Sequence, residues 1–371
     1  MPAIVCQASR DFCLEEKPQA RPGHTGVPVR NYAVSRGGAD PERRLSAPLC
    51  RRCGTIKAAI AVSGPRAIGL GLCTVDMLFV VDEQPSFDRT MRASQYLRQG
   101  GGPTPTALVA MARLGAKTSF YGKVGDDPDG DFIRAELETE SVDTTPCIVV
   151  PGAFSRVALV LVEAASGERG FTTRPESCPD LGPCEIDRET ITAADYVHLD
   201  DADPGCMQAA RWAREAGRAV VYDGTWMHED LDEFLDWVDF PVVSEPLVRK
   251  WMPEATPEQV VARLGDHGAK ISVNTLGARG AVARWRNSTF HYPAFPIEVV
   301  DTTGAGDAFH GAFTYGLMQQ WPVDDIICFA SAVAALNCRQ LGGRSGLPTL
   351  FEVEDFLTDR RKTWESGIKR A

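Results

Sequence analysis

Between residues 194 and 277 the sequence alternates apolar, strand-like runs with helical segments, and this alternation restricts the fold more than any other feature. The runs cover residues 196–200, 219–223, 241–245 and 270–277, and the helical segments include 207–216 and 231–238. Apolar strands joined by helices predict a central, mostly parallel sheet that helices cover on both faces. The sequence therefore predicts an α/β fold.

Polar residues close these apolar runs. They are Asp200, Asp223, Ser244, Glu245 and Thr275. Because the carboxyl ends of parallel strands meet at one edge of the sheet, where such folds bind ligands, we expect these side chains to line one crevice. An earlier apolar run, residues 67–76, predicts a further buried strand that ends at Asp76.

The segment 301–307 reads Asp-Thr-Thr-Gly-Ala-Gly-Asp. It follows an apolar run at 295–300, which predicts a strand, and it precedes a helical pattern that reaches about Leu317. Glycines let the backbone come close to a ligand, and amide groups at a helix N-terminus attract an anion. Asp307 by itself is also a common helix N-cap. Two aspartates around a Gly-Ala-Gly nest favour an anion site that contains a working base.

Three further segments have their own predictions. Gln-Gly-Gly-Gly at 99–102 precedes an apolar helical segment at 107–115, and it predicts either a tight turn or a place where the backbone meets a hydroxylated ligand. Residues 156–163 and 170–173 predict a β-hairpin. An acidic loop at 126–130 predicts the capped start of a helix through Glu140 rather than a calcium site.

Composition excludes several classes of partner. The formal net charge of −11 over 371 residues argues against a nucleic-acid partner. The apolar runs are too short to span a membrane, and residues 1–30 lack the apolar core of a signal peptide. Eleven cysteines without a regular spacing are typical of reduced thiols, so we expect a cytoplasmic protein.

Residues 1–65 differ from the rest of the chain. They are basic, rich in Arg, Pro and Gly, and without a hydrophobic period, so they predict a disordered N-terminal extension. Cys50 and Cys53 have the spacing of half a zinc site, with Cys6 and Cys13 as further thiols. A second close pair is missing, so we do not expect structural zinc.

Three separated motifs over residues 66–360 resemble the ribokinase-like (PfkB) carbohydrate kinases. Residues 101–115 look like the N-terminal Gly-Gly motif of the family, residues 301–313 closely resemble its Asp-Thr-Thr-Gly-Ala-Gly-Asp motif, and residues 275–280 are similar to its nucleotide-phosphate turn. Ser244-Glu245-Pro246 and residues 342–348 look most like the sulfofructose kinase and ketohexokinase branch. The resemblance implies a ribokinase-like kinase domain over 66–360, with a small β-sheet lid from about 77–99 and 156–173, and a C-terminal tail at 361–371.

The resemblance also implies an activity: transfer of the ATP γ-phosphate to a sugar hydroxyl, with Mg²⁺ bridging the phosphates. Asp307 would accept the proton of the hydroxyl group. Backbone amides of Gly304, Ala305 and Gly306 would stabilise charge on the transferring phosphoryl group.

By the same resemblance, the remaining site positions fall into three groups. The sugar-contacting positions are Asp76, Gly101, Gly102, Thr106 and Asp200. The nucleotide positions are Ser244, Thr275, Gly277, Gly280, Asn337 and Gly343. The metal positions are Glu245 for Mg²⁺, and Asp301, Thr303 and Gly342 for the K⁺ that some relatives bind.

Departures from the family pattern bear on the acceptor. Thr106 stands where many members have a sugar-contacting Asn, and Ser244 and Glu245 replace the Asn-x-x-Glu motif that is tied to magnesium. A sulfonated sugar would call for a basic residue, and the lid candidates are Arg89, Arg92 and Arg156. We expect a ketose or a ketose derivative as the acceptor.

Two alternatives remain at this point. One is a nucleoside kinase of the same fold, for which Phe79, Phe87 and Tyr96 would have to supply stacking rings. The other is a regulatory protein that binds a sugar or nucleotide without turnover. Independently of these alternatives, the resemblance implies a possible homodimer, because the lids of the family often pair across one.

Overall fold

The structure is a computed structural model, and it describes residues 64–83, 85–88 and 90–371. The predicted N-terminal extension lies outside the described residues except for 64 and 65, and so do the four cysteines considered for zinc. Within the described residues, no helix combines the length and apolar character needed to cross a membrane.

The strands alternate with helices along most of the chain, as the sequence predicts. In chain order they are β1 (Arg66–Leu70), β2 (Thr74–Val81), β3 (Gln95–Gly101), β4 (Lys117–Tyr121), β5 (Lys123–Gly125), β6 (Val142–Asp143), β7 (Ile148–Val150), β8 (Val157–Glu163), β9 (Arg169–Arg174), β10 (Tyr196–Leu199), β11 (Ala219–Gly224), β12 (Phe240–Ser244), β13 (Ile271–Thr275), β14 (Ala281–Trp285), β15 (Ser288–Tyr292) and β16 (Lys369–Arg370). The helices are α1 (Pro103–Arg113), α2 (Pro128–Thr139), α3 (Arg188–Ala193), α4 (Pro204–Glu215), α5 (Leu231–Leu235), α6 (Glu245–Trp251), α7 (Pro257–Asp266), α8 (Ala305–Met318), α9 (Val323–Asn337) and α10 (Leu350–Glu365).

The main sheet places the predicted crevice residues at one edge. Within the described chain its strand order is β16-β15-β14-β13-β12-β11-β10-β1-β4-β6. In this sheet β13, β12, β11, β10, β1, β4 and β6 run parallel, whereas β14, β15 and β16 pair antiparallel at one side. The carboxyl ends of β10 to β13 therefore open on the same side, and this confirms the predicted parallel α/β sheet.

A separate small sheet has the order β3-β2-β8-β9 in the described chain. The predicted hairpin is present, because β8 and β9 pair antiparallel. Side chains alternate along β2: Asp76 and Leu78 are buried, whereas Phe79 lies on the opposite face and contacts the ring of Tyr96 at 4.9 Å between centroids. Phe79 and Tyr96, the rings that a nucleoside kinase would need for stacking, thus lie on the face of β2 opposite to Asp76, and Phe87 is fully exposed.

Helices α1 and α8 form the centre of the largest apolar cluster. Every residue from Pro103 to Met111 in α1 is buried, as expected for a segment that is small and apolar all round. Gly311 in α8 permits a close crossing, since a Cβ on it would lie 2.4 Å from the carbonyl oxygen of Ala107. The tight contact fixes α8, and with it the 301–307 segment, against α1.

Three sequence predictions of local structure are corrected. The run 67–76 is not one strand but two, β1 and β2, because the turn at residues 71–73 redirects the chain into the small sheet. Asp76 is consequently inside β2 and not at the end of a main-sheet strand. Residues 295–300 form no strand: Pro296 has no N–H to donate, and the Val300 N–H bonds to the Cys338 carbonyl at 2.9 Å.

At the C-terminal end, the predicted boundary at residue 360 falls inside α10, which continues to Glu365. Lys369 and Arg370 then pair with β15, and Ala371 N–H donates to Thr289 at 2.9 Å. Residues 361–371 are therefore built into the main sheet and its covering helix.

Candidate active site

The segment 301–307 forms a tight turn that opens α8. Gly304 precedes the helix with φ at +72°, and a Cβ on it would lie 2.6 Å from Cα of Gly343. Glycine fits both the left-handed conformation and this close approach. Amide groups in the first turn of a helix have no intrahelical acceptor, so this turn presents donors to an anion.

Asp307 lies in the first turn of α8, three residues beyond Gly304. Burial raises the pKa of its carboxyl group to about 7, and the negative charge of Asp223 adds to the increase. His310 and Arg169 oppose the increase with their positive charge. A carboxyl group with a pKa near 7 can exchange a proton readily at neutral pH, as general base catalysis requires.

Asp301 braces this turn from inside the protein. It is fully buried, and Oδ1 accepts hydrogen bonds from the N–H and the hydroxyl of Thr303, both at 2.8 Å. Its Oδ2 accepts one from the Gly342 N–H at 2.8 Å. Asn337 donates from Nδ2 to the Thr303 carbonyl at 3.2 Å, while its buried Oδ1 has no partner. The residues predicted for the monovalent cation thus lie together, with the Asp301 carboxylate engaged by protein donors.

Predicted sugar-contacting residues lie where β2, β3 and α1 meet. Burial raises the pKa of Asp76 to about 6, against the opposing charge of Arg344. A Cβ on Gly101 would lie 2.1 Å from Asp76 Oδ2, so a side chain here would displace the carboxylate. Gly102 is the residue before α1. The structure therefore brings Asp76, Gly101 and Gly102 together.

Thr106 is buried in α1 and is engaged by an arginine that the sequence reasoning overlooked. Arg344 Nε donates to Thr106 Oγ1 at 3.2 Å, Nη2 donates to the Gly101 carbonyl at 3.0 Å, and Nη1 lies 3.2 Å from Glu136 Oε2. The guanidinium is 3% exposed. Arg344 therefore joins the loop after α9 to the Gly-Gly segment.

Asp200 follows β10 and binds backbone. Its Oδ1 accepts from Leu72 N–H at 3.2 Å and its Oδ2 accepts from Thr104 N–H at 2.8 Å. Burial raises the pKa of this carboxyl group well above its usual range, while the two hydrogen bonds oppose that increase. Asp200 thus joins the turn after β1 to the start of α1, next to the predicted sugar residues.

Predicted nucleotide residues lie at the ends of two neighbouring strands. Ser244 ends β12, Thr275 ends β13, and the two residues are paired in the sheet. Gly277 opens a short 3₁₀ turn and Gly280 follows it. The Ser244 hydroxyl is buried without a hydrogen-bond partner. Asn337 and Gly343 contact the 301–304 turn.

Glu245, the predicted magnesium residue, begins α6. Its carboxylate lies 3.0 Å from Arg249 and 2.8 Å from Arg279, and hydrogen bonds from these arginines, that of Arg249 first, lower its pKa. In the described parts of the chain, no cluster of three or more His, Cys, Asp or Glu side chains could hold a metal ion.

Three residues near the predicted site were not predicted from the sequence. Arg344, His310 and Arg169 come from a loop, a helix and the small sheet. Arg169 at the start of β9 donates to the Thr302 hydroxyl and acts on the charge of Asp307. Its position directly before the second strand of the predicted hairpin, 170–173, was the available signal.

Two of the three lid arginines considered from the sequence are in the described part of the chain. Arg156 is paired with Glu176 at 2.5 Å, Arg92 is exposed, and Arg89 is outside the described residues. Arg169, by contrast, has no carboxylate partner among the residues that the structure describes.

Comparison with known proteins agrees with this geometry. The pattern of the pfkB family of carbohydrate kinases matches residues 67–350. An ATP-dependent ribose-1-phosphate kinase of Halopiger xanaduensis is 29% identical over 304 residues, which cover 80% of this chain and 99% of the relative.

Two solved structures show the same fold. Ribokinase of Arabidopsis thaliana, complexed with ribose and ATP, has a TM-score of 0.69 at 23% identity and covers 80% of this chain and 99% of its own. A candidate ribokinase II of E. coli, in complex with ATP and Mg²⁺, has a TM-score of 0.69 at 23% identity, with 79% and 99% covered.

The parallel sheet, the small sheet and the amide-lined turn with its acid define an α/β phosphotransferase that acts on alcohol groups. The chain belongs to the pfkB family of carbohydrate kinases. Its fold is ribokinase-like.

Proposed function

We propose that this kinase transfers the γ-phosphate of ATP to a hydroxyl group of a small sugar, with Asp307 as the general base. The observation that carries the proposal is the position of Asp307: its carboxyl group has a pKa of about 7 and lies in the first turn of a helix, where amide groups without an intrahelical acceptor can bind an anion. ATP as the donor is supported by the Halopiger relative, whose name states that dependence.

In this mechanism the sugar lies between the small sheet and α8. Asp76 and the backbone at Gly101 and Gly102 hold its hydroxyl groups. Asp307 accepts the proton of the attacking hydroxyl as the new O–P bond forms and the bond from the γ-phosphorus to the β-phosphate oxygen breaks. The amide groups of residues 304–306 stabilise the negative charge on the transferring group, which is a large term because they are fixed before the reaction.

Magnesium would enter with the nucleotide, because its preferred ligands are phosphate oxygens, water and one or two carboxylates. Glu245 supplies a carboxylate on the nucleotide side, but two arginines already bind it. We therefore give Glu245 the role of orienting those arginines and the water around the ion. When bound, Mg²⁺ neutralises charge on the phosphates.

A monovalent cation is a second proposed ligand, beside the turn that Asp301 braces. The buried and unpartnered Oδ1 of Asn337 offers an oxygen ligand there, next to the carbonyl of Thr303. Replacing KCl by tetramethylammonium chloride at equal ionic strength should lower turnover, and unchanged turnover would remove the cation from the proposal.

The acceptor that we propose is a ketose or a ketose derivative, with pentoses as close competitors, since the named relatives act on ribose or ribose 1-phosphate. A nucleoside acceptor is less well supported, because the rings of Phe79 and Tyr96 lie on the face of β2 opposite to Asp76. That outer face also carries Leu159, which is 37% exposed, and we propose that it pairs with a second copy of the chain.

The test is release of ADP from ATP and Mg²⁺ with a panel of ketoses, pentoses, ribose 1-phosphate and adenosine. Asp307→Asn should lower turnover with the best acceptor by about 10²–10⁴-fold, since this is the usual contribution of a general base. Binding of ATP to the variant, measured by calorimetry, should change little. Turnover by the variant at the wild-type rate would refute the mechanism, and turnover with adenosine alone would replace the sugar.

A further inference from the structure

The helix that carries Asp307 also carries a buried histidine about one turn further along. His310 follows Asp307 by three residues, so both side chains project from the same face of α8, with Cβ atoms about 5–6 Å apart. His310 is 1% exposed, and its Nδ1 lies 3.0 Å from Oδ2 of Asp223, which is 0% exposed and belongs to β11. A histidine and an aspartate thus lie together beneath the crevice, at a distance from solvent.

The contacts of His310 determine its protonation. Its Nε2 lies 3.1 Å from the carbonyl oxygen of Val242, which can only accept a hydrogen bond. Its Nδ1 lies near a carboxylate oxygen, so both nitrogens have acceptor oxygens beside them, and this arrangement favours the doubly protonated ring. The pKa directions agree: although burial opposes it, the Asp223 carboxylate raises the pKa of His310, and His310 helps to hold the pKa of Asp223 below its usual range.

The surroundings supply other charged or titratable groups. His198 in β10 is fully buried beside the pair, and burial lowers its pKa to about 4, so it is neutral. Asp200 follows the same strand. Asp76 from β2 and Arg169 from β9 face Asp307 from the small sheet. Within this set, Asp223 and His310 act on Asp307 with opposite signs, and together they form a neutral unit.

We propose that the buried His310–Asp223 ion pair is a positioning unit that sets the charge around Asp307, in which His310 offsets the Asp223 carboxylate that would otherwise hold the base in its protonated form. The inference rests on the proposed role of Asp307 as the base. A carboxylate of Asp223 without its histidine would favour a protonated Asp307, and a histidine without its carboxylate would lose its own charge. The two residues therefore act as one unit: Asp223 maintains the charge of His310, and His310 offsets the charge of Asp223.

The test is the dependence of kcat/KM on pH, whose acidic limb reports the base in the free enzyme. His310→Asn leaves Asp223 unpaired, so its acidic limb should move up by about one pH unit, with kcat/KM recovering toward the wild-type value at alkaline pH. Asp223→Asn also removes the charge of His310, so its acidic limb should stay near the wild-type position. The double variant carries neither charge and should return it near the wild-type position.

A matched control separates electrostatics from packing. His198→Gln alters a buried histidine of the same cluster that is neutral, so its acidic limb should stay at the wild-type position. A merely structural role for His310 would lower kcat/KM equally at all pH values and leave the limb in place, and that result would overturn the inference. If Asp307→Asn retains turnover, the proposed role of Asp307 as the base is refuted. If Asp307→Asn loses turnover but His310→Asn does not shift the acidic limb, only the present inference is refuted.

A measurement on the unaltered enzyme covers the case in which the variants do not fold. In protein labelled with ¹⁵N-histidine, His310 should give the two similar nitrogen shifts of an imidazolium ring at pH 7.5. His198 should give the separated shifts of a neutral ring, and its signals are assigned by their loss in His198→Gln. If no histidine other than solvent-exposed ones is protonated at that pH, the ion pair does not exist and the proposal is refuted.

Discussion

Replacing Arg344 with methionine tests whether one buried guanidinium holds the acceptor side of the site together. The side chain is 3% exposed, and it bonds Thr106 Oγ1, the Gly101 carbonyl and Glu136 Oε2 at 3.0–3.2 Å. Methionine has a similar reach and removes every donor. The carboxylate of Glu136, which also accepts from the Gly100 N–H, then loses its positive partner.

The cost can be worked from these contacts. Removing one member of a buried ion pair costs about 3–5 kcal/mol, because the other member stays charged and poorly solvated. Glu136 is 26% exposed and gains some water, so we expect the lower end, about 3 kcal/mol, in the free energy of unfolding. Because Thr106 and Gly101 lie on the acceptor side, KM for the sugar should rise much more than KM for ATP.

Denaturant unfolding and steady-state kinetics measure the two effects. Arg339→Met is the matched control, since Arg339 precedes the same loop and is exposed, and its unfolding energy should stay within about 0.5 kcal/mol of the wild type. Adding Glu136→Leu to Arg344→Met should restore part of the stability, because no uncompensated charge then remains. The reasoning is refuted if Arg344→Met costs no more than Arg339→Met, or if KM for ATP rises as much as KM for the sugar.

Three shorter predictions follow from other contacts. Gly101→Ala places a Cβ 2.1 Å from Asp76 Oδ2, so kcat/KM for the sugar should fall by about 100-fold, whereas Gly170→Ala, with open space around it, should leave kcat/KM unchanged in the same assay. His198 has a folded pKa of about 4 against 6.5, so the unfolded chain binds its proton first as pH falls and up to about 3 kcal/mol of stability is lost between pH 6.5 and 4; His198→Gln should flatten that decline in denaturant titrations at a series of pH values. Tyr96→Lys with Leu159→Lys should convert a dimer into a monomer in light scattering, and a wild type that is already monomeric would contradict pairing through this face.

Features that depend on residues close together in the sequence could be predicted, whereas features that depend on residues far apart in the sequence could not. The turn before α8 is local: the glycines, the acid and the apolar helix that follows are consecutive, so the sequence alone predicted a helix after the turn, and the structure begins that helix at Ala305, inside the segment 301–307. The carboxyl ends of β10 to β13 were predictable because each strand is a short apolar run that ends at a polar residue and is followed by a helical segment. Arg344 was not, since its partners Thr106 and Glu136 lie more than 200 residues away in the chain.

The errors have local physical causes too. Residues 67–76 form one continuous apolar run, and nothing in hydrophobicity marks the bend at 71–73 that sends Asp76 into the small sheet. Residues 295–300 are apolar like a strand, but Val299 and Val300 are 44% and 45% exposed, and the backbone there bonds to the end of α9 instead of a sheet. Apolar composition predicts burial in general; it does not decide which element provides the hydrogen bonds.

The position of Asp76 and Gly101 in the small sheet has a consequence for the catalytic cycle. In the proposed complex the acceptor touches that sheet on one side and Asp307 in the main body on the other. The covalent links on this side are short, residues 71–73 between β1 and β2 and Gly102 between β3 and α1. A bound sugar therefore links the small sheet to the main body non-covalently, in addition to the two covalent links. In each turnover these contacts must break before the product can leave.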